Sequence, residues 1–197
     1  MADAFQKDLS HLSWQEVYAR QEKRAELLPD WLDALQVKPG DHVLDIGAGP
    51  GYVSLVLAER VGPAGMIYAI DRSAEALAFL ARLQEERGVA QIKRIVGDAA
   101  KLESNEPPGD SALVTLVLHH ADEPEAILRS VHRLLRPGAR TLIGEFHPDG
   151  PCKIGAPKQH RLAPDIVRGW CEASGFSIAS YRRQTPEHYR LVVERPA

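Results

Sequence analysis

In the stretch VLDIGAGPGYV, Val43 to Val53, an acid follows an apolar run and three glycines fall at alternate positions, Gly47, Gly49 and Gly51. Glycine spaced in this way lets a backbone turn tightly and approach a ligand, because no Cβ intervenes. Two more acids close later apolar runs, Asp71 in IYAIDRS and Asp98 in IVGDAAKL. A carboxylate at such a strand end can accept hydrogen bonds from sugar hydroxyls, as an acid does for ribose in dinucleotide sites. Further along, LVLHHADE carries His119 and His120, and Glu145 and His147 follow a fifth run. An imidazole titrates near neutrality and can take a proton from a nucleophile; a carboxylate at a strand end can do the same.

These residues need a frame that brings strand ends together, and the chain alternates short β-branched runs with helical patterns. That alternation predicts an α/β fold, a Rossmann-like doubly wound sheet, mostly parallel with one antiparallel strand near the C-terminus. Strands are expected over His42 to Ile46, Met66 to Ile70, Ile92 to Val96, Ser111 to Leu118 and Arg140 to Phe146. Ser73 should cap a helix that stops at Gly88, and Asp122 with Glu125 reads as a capping box for a helix stopped at Pro137-Gly138. Pro164 should open a helix closed near Gly175, and FSIASYRRQ with HYRLVVERP reads as a hairpin about Thr185 to Glu187. The chain is expected to be one domain over residues 1–197. Its first forty residues form a helical lid or edge segment, in which Ser13 and Glu16 make a capping box and Trp14, Val17, Tyr18, Ala25 and Leu28 share a face.

The glycine loop is tested first against a dinucleotide, which wants G-x-G-x-x-G; here the third position is Tyr52 and the extra glycine falls one residue earlier. A G-x-x-x-x-G-K-[ST] phosphate loop is absent. Taken with Asp71 and Gly97-Asp98, the stretch Asp45 to Gly51 resembles class I S-adenosylmethionine-dependent methyltransferases. LHHADEPEAILRSVHRLLRPGART and HRLAPDIVRGWCEASGF are similar to their small-molecule branch, which includes the ubiquinone and menaquinone methyltransferases. The resemblance covers the chain from about residue 40. It implies S-adenosyl-L-methionine as cofactor, held by Asp45, Gly47, Ala48, Gly49, Gly51, Asp71, Arg72, Asp98 and Ala99. Asp45 would lie near the ligand's ammonium, Asp71 on the ribose hydroxyls and Asp98, with Ala99, on the adenine. The donor has no pyrophosphate, so Pro50, which lacks an amide hydrogen, can stand in this loop.

Ligands in open parallel sheets sit beyond the carboxyl ends of strands where the strand order reverses, here between the first and fourth. His119, His120 and Glu145 are therefore the candidate catalytic residues, facing a small organic acceptor. If the fourth strand runs through both histidines, their side chains point to opposite faces and one of them meets the acceptor. Methyl transfer is an in-line displacement that positioning and exclusion of water can largely drive; a base is needed only when the nucleophile carries a proton.

Other signals are set aside. NEPP, Asn105 to Pro108, is similar to a motif of nucleobase amine methyltransferases, but it precedes the fourth strand and lacks an aromatic, so it reads as a loop. His147, Cys152, His160 and Cys171 match no common metal spacing, and no metal is expected. The arsenite-type enzymes use more cysteines than the two present. With 44% hydrophobic and 26% charged residues and a formal charge of -3, the chain has no basic attraction for nucleic acid. Its 197 residues can bury roughly 70% of their unfolded surface. The few cysteines and the lack of a signal-like or membrane-spanning apolar run point to a full-length cytoplasmic protein, with self-association left open. Two other functional classes fit parts of the pattern: a non-catalytic cofactor-binding module working through a protein partner, and an NAD-dependent oxidoreductase, which the glycine spacing disfavours.

Overall fold

The computed structural model describes residues 12–103 and 108–197. Apart from Pro108, the loop expected at Asn105 to Pro108 lies outside them, as does most of the segment ahead of Ser13. Seven strands form one sheet: β1 (His42–Ile46), β2 (Met66–Asp71), β3 (Ile92–Val96), β4 (Gly109–Thr115), β5 (Leu135–Phe146), β6 (Ser177–Arg183) and β7 (His188–Glu194). Their order is β3-β2-β1-β4-β5-β7-β6. The order reverses between β1 and β4, which pair in parallel. The expected antiparallel strand is β7, which runs against both β5 and β6, so β6 points the same way as β1 to β5.

Alternation along each strand feeds two cores. Val43, Ile67, Ala69, Leu113 and Leu142 pack on one face, under α2 (Leu28–Leu35), α3 (Tyr52–Val61) and α4 (Ala74–Arg87). Leu44, Ile46, Ile70, Val114 and Ile143 pack on the other, under α5 (Pro124–Leu134) and α6 (Pro164–Ala173). Ser73 caps α4 by accepting from the Ala76 amide at 3.1 Å, and Gly88 closes it in the left-handed conformation. Both devices stand where the sequence puts them.

Four local expectations change. The strand expected to run to Leu118 stops at Thr115, because Leu116 turns left-handed (φ 59°) with its N–H held by the Gly144 carbonyl at 2.8 Å. Leu118–His120 is then a single 3-10 turn rather than strand, so alternation does not send the histidines to opposite faces. The N-cap of α5 is Glu123 rather than Asp122, and its side chain makes no capping hydrogen bond; the helix starts on Pro124, whose missing N–H removes one donor that a cap would satisfy. The helix also ends at Leu134, before Pro137-Gly138, because Leu135 already pairs with Gly109 of β4. At the N-terminus, α1 (Trp14–Glu22) carries the expected Ser13–Glu16 capping box, but the helix breaks at Lys23-Arg24 before a short 3-10 turn and α2. Val17 and Leu28 are buried as expected, whereas the break leaves Ala25 exposed.

Candidate functional site

The first half of the site is the turn from β1 into α3. Gly47, Gly49 and Gly51 all have positive φ, and two of them make room for packing. A Cβ on Gly47 would fall 2.4 Å from Val117 Cγ2, and one on Gly51 2.4 Å from Leu80 Cδ1. Gly51 thus allows α4 to lie against the loop, the duty of a third glycine in a dinucleotide motif.

The loop's amides are already used. Gly47 and Ala48 donate to the Ile70 carbonyl, Gly51 to the Ala48 carbonyl, and Gly49 to Asp71 Oδ2 at 2.8 Å. The Tyr52 amide donates to Gln21 Oε1 at 3.1 Å. Pro50 has none to give, so no N–H in this turn is held back for a phosphate.

Asp45 lies on the α3 side of β1, 1% exposed, and accepts from Ser54 Oγ at 2.6 Å. Burial pushes its carboxyl up to about 6, Asp71 pushes in the same direction, and the Ser54 hydrogen bond opposes them. A cation at this spot would restore the carboxylate. Asp71 is half-buried at the end of β2, with Oδ1 accepting from the Ser73 amide at 2.8 Å. Each of its oxygens accepts from one backbone amide and has a second lone pair to offer. Asp98 is exposed and accepts from the Ala100 amide at 3.0 Å, the turn role an aspartate takes at the head of a 3-10 helix. Ala99 beside it is half-buried, and Arg72 is exposed.

Gln21 carries no signal in the sequence. It is one polar residue on a charged helix, yet its side chain bridges the loop, with Nε2 donating to the Ala48 carbonyl at 3.1 Å and Oε1 accepting from Tyr52. Tyr18, one turn earlier, meets Tyr52 edge-on with ring centroids 5.4 Å apart, and its hydroxyl accepts from Arg87 of α4. Past the break, Trp31 Nε1 donates to Gln184 Oε1, and Asp30 pairs with Arg190 at 2.6 Å. The N-terminal segment is therefore fastened to the glycine loop at one end and to the last hairpin at the other. Between the two fastenings it roofs a cleft whose walls include Gln21, Arg24, Trp31, Val53 and the Thr115-Leu116 corner.

The second half of the site gathers the ends of β4 and β5 and the start of β7. His119 Nδ1 and Glu145 Oε2 are 2.7 Å apart, with side chains 2% and 0% exposed. Glu145 Oε1 also accepts from the Leu118 amide at 2.9 Å. Glu145 thus ties the 3-10 turn to β5 and fixes the His119 ring. The His120 ring lies 4.0 Å from that of His119 and is half-buried. Of the three candidate catalytic residues, Glu145 and His119 are enclosed and His120 retains access.

The loop from 147 to 162, without a readable pattern in the sequence, is held by one buried guanidinium. Arg161 donates to the carbonyls of Ala156, His147 and Ile154 and pairs with Glu187 Oε2 at 2.5 Å. Glu187 Oε1 in turn accepts from the Lys153 amide. His147, set aside with the cysteines, receives the Asp149 amide on Nδ1 at 3.1 Å. Among the described residues no group of three His, Cys, Asp or Glu side chains is placed to hold a metal ion.

A family model described as a methyltransferase domain matches residues 37–188. The chain belongs to this methyltransferase-domain family. Nocamycin O-methyltransferase of Saccharothrix syringae is 34% identical over 146 residues, 69% of this chain and 51% of that protein. Demethylmenaquinone methyltransferase of Geobacillus kaustophilus is 27% identical over 135 residues, 68% and 52% of the two chains. The chain thus spans about half the length of these curated relatives. A SAM-dependent methyltransferase from Aquifex aeolicus superposes with a TM-score of 0.84 at 20% identity, covering 93% of this chain and 99% of that one. The methyltransferase-domain chain therefore shares the Rossmann-like fold of the SAM-dependent enzymes.

Proposed function

We propose that this methyltransferase-domain protein transfers a methyl group from S-adenosyl-L-methionine to a small organic acceptor. The observation that carries the donor reading is the glycine turn itself, whose amides are all satisfied internally while its flanking carboxylates, Asp45 and Asp71, keep acceptor capacity. That pattern suits a ligand bringing an ammonium and a ribose diol, and it ill suits a pyrophosphate. Asp45 would face the ammonium, Asp71 the ribose hydroxyls, and Asp98 with Ala99 the adenine edge. Ala48 and Gly49 would supply backbone surface, and Arg72 would flank the ribose. When bound, the donor would supply a methyl on a sulfonium sulfur, from which the neutral thioether of S-adenosylhomocysteine is a good leaving group.

The chain's own residues then position and enclose. The roof formed by α1 and α2 excludes water from the cleft. His120 is the side chain we assign to the acceptor, taking its proton where the nucleophile carries one, with His119 and Glu145 as positioning residues behind it. A small acceptor is supported by the names of the two relatives. No helix among the described residues is long and apolar enough to cross a membrane. Cys152 and Cys171 are unpaired thiols, as a reducing cytoplasm would keep them.

Titration with S-adenosylhomocysteine and with NAD tests the donor. Binding of the first with release of heat, and none of the second, is the expected result. Binding of NAD alone would overturn the reading. S-adenosylhomocysteine release across a panel of phenols, quinols and carboxylic acids then finds the acceptor.

A further inference from the structure

The roof over the cleft carries a charge that nothing in the described chain neutralises. Arg24 sits at the break after α1, where its backbone is fixed by donation from its N–H to the Gln21 carbonyl at 3.0 Å. Its side chain lines the cleft at the β1–β4 reversal with Gln21, Val53 and Leu116. The guanidinium stands 5.8 Å from the centre of the Phe146 ring. No hydrogen bond or ion pair joins it to another described residue. The charges that act on it are Arg20, of the same sign, and Glu145, whose oxygens already receive His119 Nδ1 and the Leu118 amide. Burial is also the main force lowering this guanidinium, to about 10.

A half-buried guanidinium with only a ring face beside it has lost part of its hydration without gaining an acceptor, and a planar two-pronged donor is matched by a carboxylate. Ring contact alone recovers little of the lost hydration. Arg161 lies 5.1 Å from the centre of the same ring, yet it is spent on three carbonyls and Glu187. The contrast between the two arginines separates structural duty from reserve.

We propose that Arg24 is a carboxylate-binding residue of the cleft, receiving an acid group that a ligand brings in. The proposal rests on the donor and acceptor reading above, which offers two sources: the methionyl carboxylate of the donor and an acid group on the acceptor. One set of experiments separates them. S-adenosylhomocysteine and 5′-methylthioadenosine share the adenosine and the thioether, but only the first has a carboxylate. Both are titrated into wild type, Arg24→Gln and Arg24→Lys, and benzoate serves as a probe of an acceptor acid by thermal shift on the same three proteins.

If the donor supplies the acid, Arg24→Gln weakens S-adenosylhomocysteine at least about tenfold and leaves methylthioadenosine within about twofold, with Arg24→Lys between. If the acceptor supplies it, both nucleosides bind the variants as they bind wild type, and benzoate stabilises wild type but not Arg24→Gln. Benzoate also decides the matter should S-adenosylhomocysteine fail to bind wild type, an outcome that strikes the donor reading instead. Equal behaviour of wild type and Arg24→Gln towards all three probes overturns the proposal. So does a ligand-free melting point that falls by more than about 4 °C in Arg24→Gln, since a residue held in reserve should not be holding the fold together.

Discussion

Nδ1 of His119 lies 2.7 Å from Oε2 of Glu145, and neither side chain reaches solvent. This pair underlies His120, whose ring lies tilted against that of His119 with centroids 4.0 Å apart. Replacing His120 by Ala is expected to lower kcat by about 10²-fold on an acceptor that must lose a proton, while S-adenosylhomocysteine affinity is kept. Glu145→Gln keeps the shape of the support but not its charge, so a smaller loss and a displaced pH profile are expected. A His120→Ala enzyme with wild-type turnover on such an acceptor would remove His120 from the mechanism.

Asp45 gives a prediction with a sign. Its folded carboxyl is raised to about 6 from 3.8, so its contribution to stability is complete below pH 3.8 and is lost as pH rises through 6. Ligand-free Asp45→Asn lacks this dependence. Urea unfolding at pH 4 and pH 7 should show the difference between variant and wild type moving by about 2 kcal/mol in favour of the variant. Its affinity for S-adenosylhomocysteine, whose ammonium we place against this carboxylate, should fall. A pH-independent difference would mean that Asp45 stays ionised throughout.

Gln21 links the roof to the glycine turn through two hydrogen bonds. Removing them with Gln21→Ala should cost about 1–2 kcal/mol. Hydrogen exchange at the Tyr52 amide, which loses its acceptor, should speed up well beyond the change at Gly47 or Ala48, whose acceptor is Ile70. Uniform acceleration across the turn would show that Gln21 acts on global stability instead.

Gly51 faces Leu80, and a Cβ would fall 2.4 Å from its Cδ1. Gly51→Ala should destabilise by about 2–3 kcal/mol, from the clash together with a positive φ of 88°. Leu80→Ala on the same background removes the clash but not the φ strain. A double-mutant cycle should therefore show coupling of at least about 1 kcal/mol, and additive effects would place the whole cost in the backbone.

The elements most visible in the sequence are those whose signals are local. Ser73 and Gly88 bracket α4 because a hydroxyl cap and a left-handed glycine act within one turn of the chain. β1 and β3 match their expected limits because apolar runs end there on Gly47 and Gly97. His119 and His120 looked like strand because the apolar run of β4 continues through Val117 and Leu118, and nothing but Leu116 marks the corner. A leucine in the left-handed region announces nothing; it is held there by a carbonyl 28 residues away, on Gly144. Gln21 and Arg161 escape notice in the sequence for the same reason. Their partners lie across the fold, and a single polar side chain on a charged stretch has no spacing to read.

The reversed direction of β7 has a consequence for how the site is built. Every parallel strand offers its last residues to the ligand edge, but an antiparallel neighbour offers its first. His188 pairs with Phe146 in register, and Glu187 just before it clamps Arg161. The turn between β6 and β7 thus lies at the same edge of the sheet as the ends of the parallel strands, and the N-terminal roof is pinned to that same hairpin through Asp30 and Trp31. The roof and the last hairpin hold each other like the halves of a clasp, so changes in the last strand should be felt in α2 and, through Trp31, in the cleft.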